Sequence, residues 1–75
     1  MTTRTLDELS IGSRSIIVGI KANAPTKRRL QDLGFIKGAF VESLFRSPLG
    51  DPTAKKIKGT TIALRHEEAN KILIE

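Results

Sequence analysis

Turn signals punctuate this chain so often that no long element fits between them. Gly12, Asn23-Ala24-Pro25, Gly34, Gly38, the run Pro48-Leu49-Gly50-Asp51-Pro52 and Gly59 follow one another along 75 residues, and glycine and proline are the strongest local interrupters of helix and strand. The stretches between them are short and read mostly as strands. Residues 14–21 alternate, with Ile16, Val18 and Ile20 on one face and Ser15, Ile17, Gly19 and Lys21 on the other, the pattern of a strand with one buried face. Residues 39–47 give a second strand, with Val41 and Phe45 on one face and Phe40 and Leu44 on the other. Apolar residues on both faces suit a central, strongly curved strand. Residues 53–58 alternate weakly, residues 60–64 form a fourth strand and residues 72–74 a fifth. Short strands with turn signals every 8–12 residues, roughly, describe a small barrel.

Three short helical pieces complete the reading. Thr5 and Glu8 have the spacing of a capping box, and one turn over residues 5–9 presses Leu6 and Leu9 onto the core. Pro25 suits the first turn of a helix, Leu30 and Leu33 recur at helical spacing, and Gly34 supplies the stop, which predicts a helix over residues 25–33. Residues 66–70 fit one further turn. The expected fold is mostly β, a five-stranded barrel with short helices, in one domain over residues 1–75.

Composition narrows what such a fold can do. A chain of this size buries only about 60% of the surface its unfolded form exposes. Its hydrophobic content of 39%, with three aromatics in all, fills one core of Ile, Leu and Val and leaves little for an enclosed cleft. There is no cysteine, so disulfides and thiolate metal sites are excluded and a reducing cytoplasm is the natural setting. The apolar run Ile16-Ile17-Val18-Gly19-Ile20 is far short of the roughly 20 residues of a membrane span and of the about 7–15 of a signal-peptide core. A soluble cytoplasmic protein is expected. The formal net charge of +5 favours anionic partners or surfaces.

Catalysis finds little support. His66 is the sole histidine and would have to serve any serine nucleophile as base, and no stretch fits a phosphate-binding loop. The sequence reads as a binder, not an enzyme, with no cofactor site. His66-Glu67-Glu68 offers an imidazole and carboxylates, but neighbouring helix positions do not face a common point, and acids at a helix start complement its dipole. No metal ligand is assigned. Arg29 lies at the edge of the Leu30/Leu33 face and is expected to pair with a carboxylate. Arg28 points away from that face and is either a partner contact or a solvated charge. Lys55-Lys56-x-Lys58 is either an anion-binding stripe or, the preferred reading, edge-strand protection. The chain has neither Tyr nor Trp, which removes the usual grooves for proline-rich peptides. With its three Phe assigned mostly to the core, it also lacks a stacking platform for single-stranded nucleic acid. Charge alone supports only weak, salt-sensitive nucleic-acid binding, so the expected partner is a protein surface.

The ordered set Thr5-Leu6-x-x-Leu9-x-x-Gly12, Arg29-Leu30-x-x-Leu33-Gly34, Gly38, Pro48-Leu49-Gly50-Asp51-Pro52, Gly59 and Ala63-Leu64-Arg65-x-x-x-Ala69-x-x-Ile72 resembles the FeoA family over nearly the whole chain. The resemblance implies an SH3-like barrel, of the kind also found at the C-terminal end of iron-dependent repressors. It further implies an accessory role in bacterial ferrous-iron uptake, with the cytoplasmic GTP-binding region of the FeoB membrane transporter as partner. The alternative is a metal-responsive module that binds ferrous iron or another transition metal itself. Thr53 and Lys55 stand where the family commonly has aliphatic residues, which predicts an exposed or frayed third strand.

Candidate partner-binding residues are Leu49, Gly50, Asp51 and Pro52 of the proline-bounded loop, together with Arg28 and Arg65. Gly50 permits a positive φ, and Asp51 can hydrogen-bond nearby backbone as an Asx turn. Leu49, at a loop tip, is either folded back onto the core or offered to a partner. Arg65 is expected to pair with Asp51 or another acid.

Overall fold

Thr5 ends a two-residue strand, β1 (Arg4–Thr5), and opens a single 3₁₀ turn over Leu6–Glu8 in the computed structural model, which describes residues 4–75. The Glu8 carboxylate accepts from the Thr5 amide at 3.2 Å, satisfying a donor that the start of the turn leaves open. Leu6 and Leu9 are both buried as a result. β2 (Arg14–Ile20) follows, then α1 (Ala24–Asp32). Asn23 caps α1, its side-chain oxygen accepting from the Thr26 amide at 3.0 Å. β3 (Phe40–Arg46), β4 (Thr53–Ile57) and β5 (Thr60–Leu64) come next, then the four-residue α2 (His66–Ala69) and β6 (Ile72–Ile74).

All pairings are antiparallel, in the order β1-β6-β2-β3-β4-β5. The mostly β reading holds, with six strands among the described residues instead of five, because Arg4 and Thr5 pair with Ile74 and Leu73. The sheet curls around Leu6, Leu9, Ile17, Leu30, Phe35, Val41, Ile57, Leu64, Ile72 and Ile74. No helix among the described residues is long and apolar enough to cross a membrane.

Two irregularities set which side chains enter that core. Pairing of β2 with β6 shifts register between Ile17 and Gly19. Ile17 is fully buried and Ile20 packs beside the core, whereas Ile16 and Val18 are only half-buried. The alternation expected for β2 had placed Ile17 on the opposite face. A bulge adds one residue to one strand and reverses the parity beyond it, so Ile17 and Ile20 share the inside. In β3 the shift lies between Ser43 and Phe45. Val41 and Ser43 point inward, Leu44 is the extra residue, and Phe45 turns outward at 59% exposure. Phe40 is 63% exposed and only Phe35 is buried. The three phenylalanines are therefore not mostly core residues. Leu33 is also exposed, since α1 ends at Asp32. Gly34 then adopts a φ of +110° and carries Phe35 inward, its amide donating to the Leu30 carbonyl at 3.1 Å.

β4 is neither an edge nor frayed. It lies between β3 and β5, and Lys55, on the same face as Ile57, is 2% exposed. Its Nζ donates to Ser43 Oγ, on the directly opposite residue of β3, at 2.9 Å. Lys56 and Lys58 stay exposed, so the three lysines do not form one stripe and Lys55 protects no edge. Burial holds the Lys55 ammonium below its ordinary 10.5; Arg46 adds to the lowering and Asp7 opposes it. Between the folded and unfolded values the unfolded chain binds more protons, so Lys55 makes stability rise with pH in that window. Urea denaturation from neutral pH up toward 10.5 should show that rise in the wild type and lose it in Lys55→Met. That variant should be neutral to stabilising at pH 7, as for apolar replacement of other buried charges. Ser43→Ala, which strips the ammonium of its acceptor, should cost about 1–3 kcal/mol. A wild-type-minus-Lys55→Met difference that is flat in pH would contradict this account.

Candidate functional site

β3 and β4 are joined by residues 47–52, the loop singled out by its two prolines. The Ser47 amide donates to the Pro52 carbonyl at 3.1 Å and the Gly50 amide to the Ser47 carbonyl at 2.8 Å. Gly50 has a φ of +87°, and nothing lies within 4 Å of where its Cβ would be. Glycine is needed there for backbone conformation and not for space. The Asp51–Pro52 peptide is cis.

Asp51 does hydrogen-bond backbone, though not that of its own loop. Its Oδ1 accepts from the His66 amide at 2.8 Å, tying the loop to the first residue of α2 and placing a carboxylate against open helix donors. The expected Asp51–Arg65 pair does not form among the described residues. Arg65 is exposed; its amide donates to Glu68 Oε1 at 3.2 Å, and its side chain makes no ion pair among the described residues.

Leu49 is 93% exposed, so it is not folded back onto the core. Beside the hairpin tip, Phe45 stands on the outer face of the sheet, opposite Ala54, which in turn faces Ala63 on β5. Ala54 is buried yet lies outside the core cluster. A phenyl ring at the end of a row with two small residues thus adds an apolar surface that sequence reading assigned to the interior.

Under the loop lies a crevice of about 260 Å³, lined by Asp7, Arg46, Asp51, Lys55 and His66 among others. His66 Nδ1 lies 3.3 Å from Asp7 Oδ2. Two carboxylates face two cations and an imidazole, so the crevice is close to charge-balanced. Among the described residues no group of three or more His, Asp or Glu is placed to hold a metal ion. His66 and Glu68 face different partners, since Glu68 pairs with Arg29 of α1. The hydrogen bond from Arg29 is the main reason the Glu68 carboxyl sits below its ordinary value. Arg29 therefore has the carboxylate partner expected for it.

The candidate residues fall into two groups. Leu49, Gly50, Asp51 and Pro52 are contiguous, and the Asp51–His66 bond ties them to the residue that follows Arg65. Arg28 stands apart on α1, lining a groove with Ala24, Pro25, Arg29 and Asp32, none of which lines the crevice under the loop. The inward turn of Lys55 was available from parity, since it shares a face with Ile57. The outward turn of Phe45 had no such signal, because a bulge leaves no mark in the alternation of β3.

Comparison with known proteins places these features in a family. The model of the FeoA domain matches residues 4–75. A Porphyromonas gingivalis Fe(2+) transport protein A/Fe(2+) transporter FeoB fusion protein is 31% identical over 70 residues, 93% of this chain but only 8% of that protein. A putative Fe(2+) transport protein A of Campylobacter jejuni is 32% identical over 91% of this chain and 92% of its own length. Among solved structures, a FeoA-like protein from Clostridium acetobutylicum superposes with a TM-score of 0.89 at 33% identity, covering 100% of this chain and 88% of that one. FeoA of Stenotrophomonas maltophilia, described as a procaryotic SH3 domain protein and solved with zinc, gives a TM-score of 0.83 at 30% identity over 100% and 91% of the two chains. A manganese-dependent transcriptional repressor shares the fold alone, with a TM-score of 0.86 at 19% identity over 99% of this chain and 36% of its own. The fold is SH3-like, as the resemblance implied, with a barrel-like sheet that does not close. On the family match and these relatives, the chain belongs to the FeoA family, which is associated with ferrous iron transport.

Proposed function

We propose that this chain is a non-catalytic, cytoplasmic accessory module of ferrous-iron uptake that docks on the GTP-binding region of a FeoB-type transporter, with the loop between β3 and β4 leading the contact. The observation that carries the reading is the fused relative, in which a FeoA-type segment and FeoB share one polypeptide. Fusion holds two partners at high effective concentration, which is the arrangement a modest docking interface needs. The description of the Stenotrophomonas relative raises a role as a ferrous iron transport activating factor, in line with an accessory module.

The hairpin supplies the surface. Leu49 and Phe45 are large apolar side chains held out into solvent, and covering one such side chain is worth about 1.5–3 kcal/mol. The loop beneath them is held by its own main-chain bonds and by Asp51, so little order has to be gained on binding. A second reading, direct metal sensing, draws on the zinc in the Stenotrophomonas structure. In this chain the imidazole and carboxylate that meet are His66 and Asp7. Anaerobic ferrous-ion titration that saturates at low-micromolar metal would support it, and failure to saturate would count against it.

Leu49→Asp should weaken binding to the isolated GTP-binding region about tenfold or more, the equivalent of about 1.4 kcal/mol, while circular dichroism stays unchanged. Unaltered affinity in titration calorimetry would take the loop out of the interface. Asp51→Ala should lower stability to urea by about 0.5–2 kcal/mol, the usual range for losing a side-chain acceptor at a helix start, and Asp51→Asn should recover most of it. Equal stabilities of Asp51→Ala and wild type would show that the bond to His66 contributes nothing.

A further inference from the structure

An unclosed sheet has two edges, and here they differ. One is β1, which carries the charged Arg4 among its described residues, as solvent-facing edges often do. The other is β5, Thr60-Thr61-Ile62-Ala63-Leu64, with no charge, no proline and no bulge in its ladder with β4. Its connection to β4 is the two-residue turn Lys58-Gly59, with φ of 49° and 79°, the positive values of a tight hairpin whose closing pair is hydrogen-bonded. Alternation along the ladder then directs the main-chain groups of Thr60, Ile62 and Leu64 to β4. Those of Thr61 and Ala63 face away from the sheet. Both residues are exposed, and among the described residues no strand pairs on that side and no main-chain bond from elsewhere reaches them.

Charge indicates what would cover this edge. Exposed Lys58 and Arg65 flank it. A second copy pairing antiparallel along β5 would bring Lys58 of each chain to the end that carries Arg65 of the other, and like charges so placed oppose association. A segment with acidic residues at both ends meets two cations instead. The outward row Phe45–Ala54–Ala63 ends at this edge, so an added strand would continue it and could rest one side chain beside the alanine. The geometry points to β5 as a docking edge that takes an extended, acid-flanked protein segment as a seventh strand. Main-chain bonds to Thr61 and Ala63 supply the attachment, and the flanking charges and the apolar row supply the selection. This edge is separate from Leu49, so its failure and that of the hairpin reading are distinguishable.

The test is a titration of the ¹⁵N-labelled protein with a synthetic peptide of alternating valine and threonine flanked by aspartates. The Thr61 and Ala63 amides should shift and become protected from exchange. The same peptide flanked by lysines should bind about tenfold more weakly or worse, as charge reversal across an interface dictates. Ala63→Pro removes a donor on the free side of an edge strand, where proline is tolerated, and should weaken binding at least fivefold, roughly the loss of one net hydrogen bond; Leu49→Asp should leave it unchanged. If Ala63→Pro does not fold, the wild-type amide map and the comparison of flanks decide the matter. No shift at Thr61 and Ala63 with millimolar peptide, equal binding of the lysine-flanked peptide, or protection of these amides on concentrating the protein alone, which means self-pairing, would each overturn the proposal.

Discussion

A sheet can surround a core only if its strands bend, and two strands of this sheet carry a bulge, one in β2 and one in β3. Each adds a residue to one strand, strengthens the local twist and reverses which side chains face inward. The first brings Ile17 and Ile20 to the same interior. The second lets Val41 and Ser43 line the core and then sends Phe45 outward. The core and the apolar outer face thus share an origin. The bulges that turn side chains into the interior also determine what the sheet shows to solvent.

The elements themselves were legible because their signals are local. Thr5 with Glu8, Asn23 next to Pro25, and the glycines after each element act within a few residues of themselves. Faces were not legible beyond a bulge, because parity carries through a strand only while the ladder is regular. Lysine chemistry misled for a different reason. Lys55 shares parity with Ile57, yet a lysine is almost never fully buried, and only the register with β3 reveals the hydroxyl that accepts its hydrogen bond. The partner of Asp51 lies 15 residues away. Two residues that close a loop of that length on each other are a tertiary fact, so the sequence indicated a turn-forming aspartate without indicating what it holds.

The buried Lys55–Ser43 contact bears on register as well as on stability. Sliding β4 along β3 by two residues would keep every inward residue inward, so hydrophobic burial alone does not forbid it. It would, however, remove the hydroxyl opposite the ammonium and leave a nearly buried charge without that acceptor, which costs more than the bond itself is worth. A polar pair in the core therefore marks one alignment of the hairpin, and with it the position of the loop carrying Leu49.

α2 shows how much order a few contacts can lend. Four residues are too few for a helix to persist on its own. This one is held from three directions: by Asp7 of the 3₁₀ turn on the His66 ring, by Asp51 of the hairpin on the His66 amide, and by Arg29 of α1 on Glu68. Those anchors come from segments far apart in sequence. The helix is thus the common ground of three otherwise separate surface segments, and its local opening equilibrium is theirs too. Whatever grips one of them firms the footing of the other two.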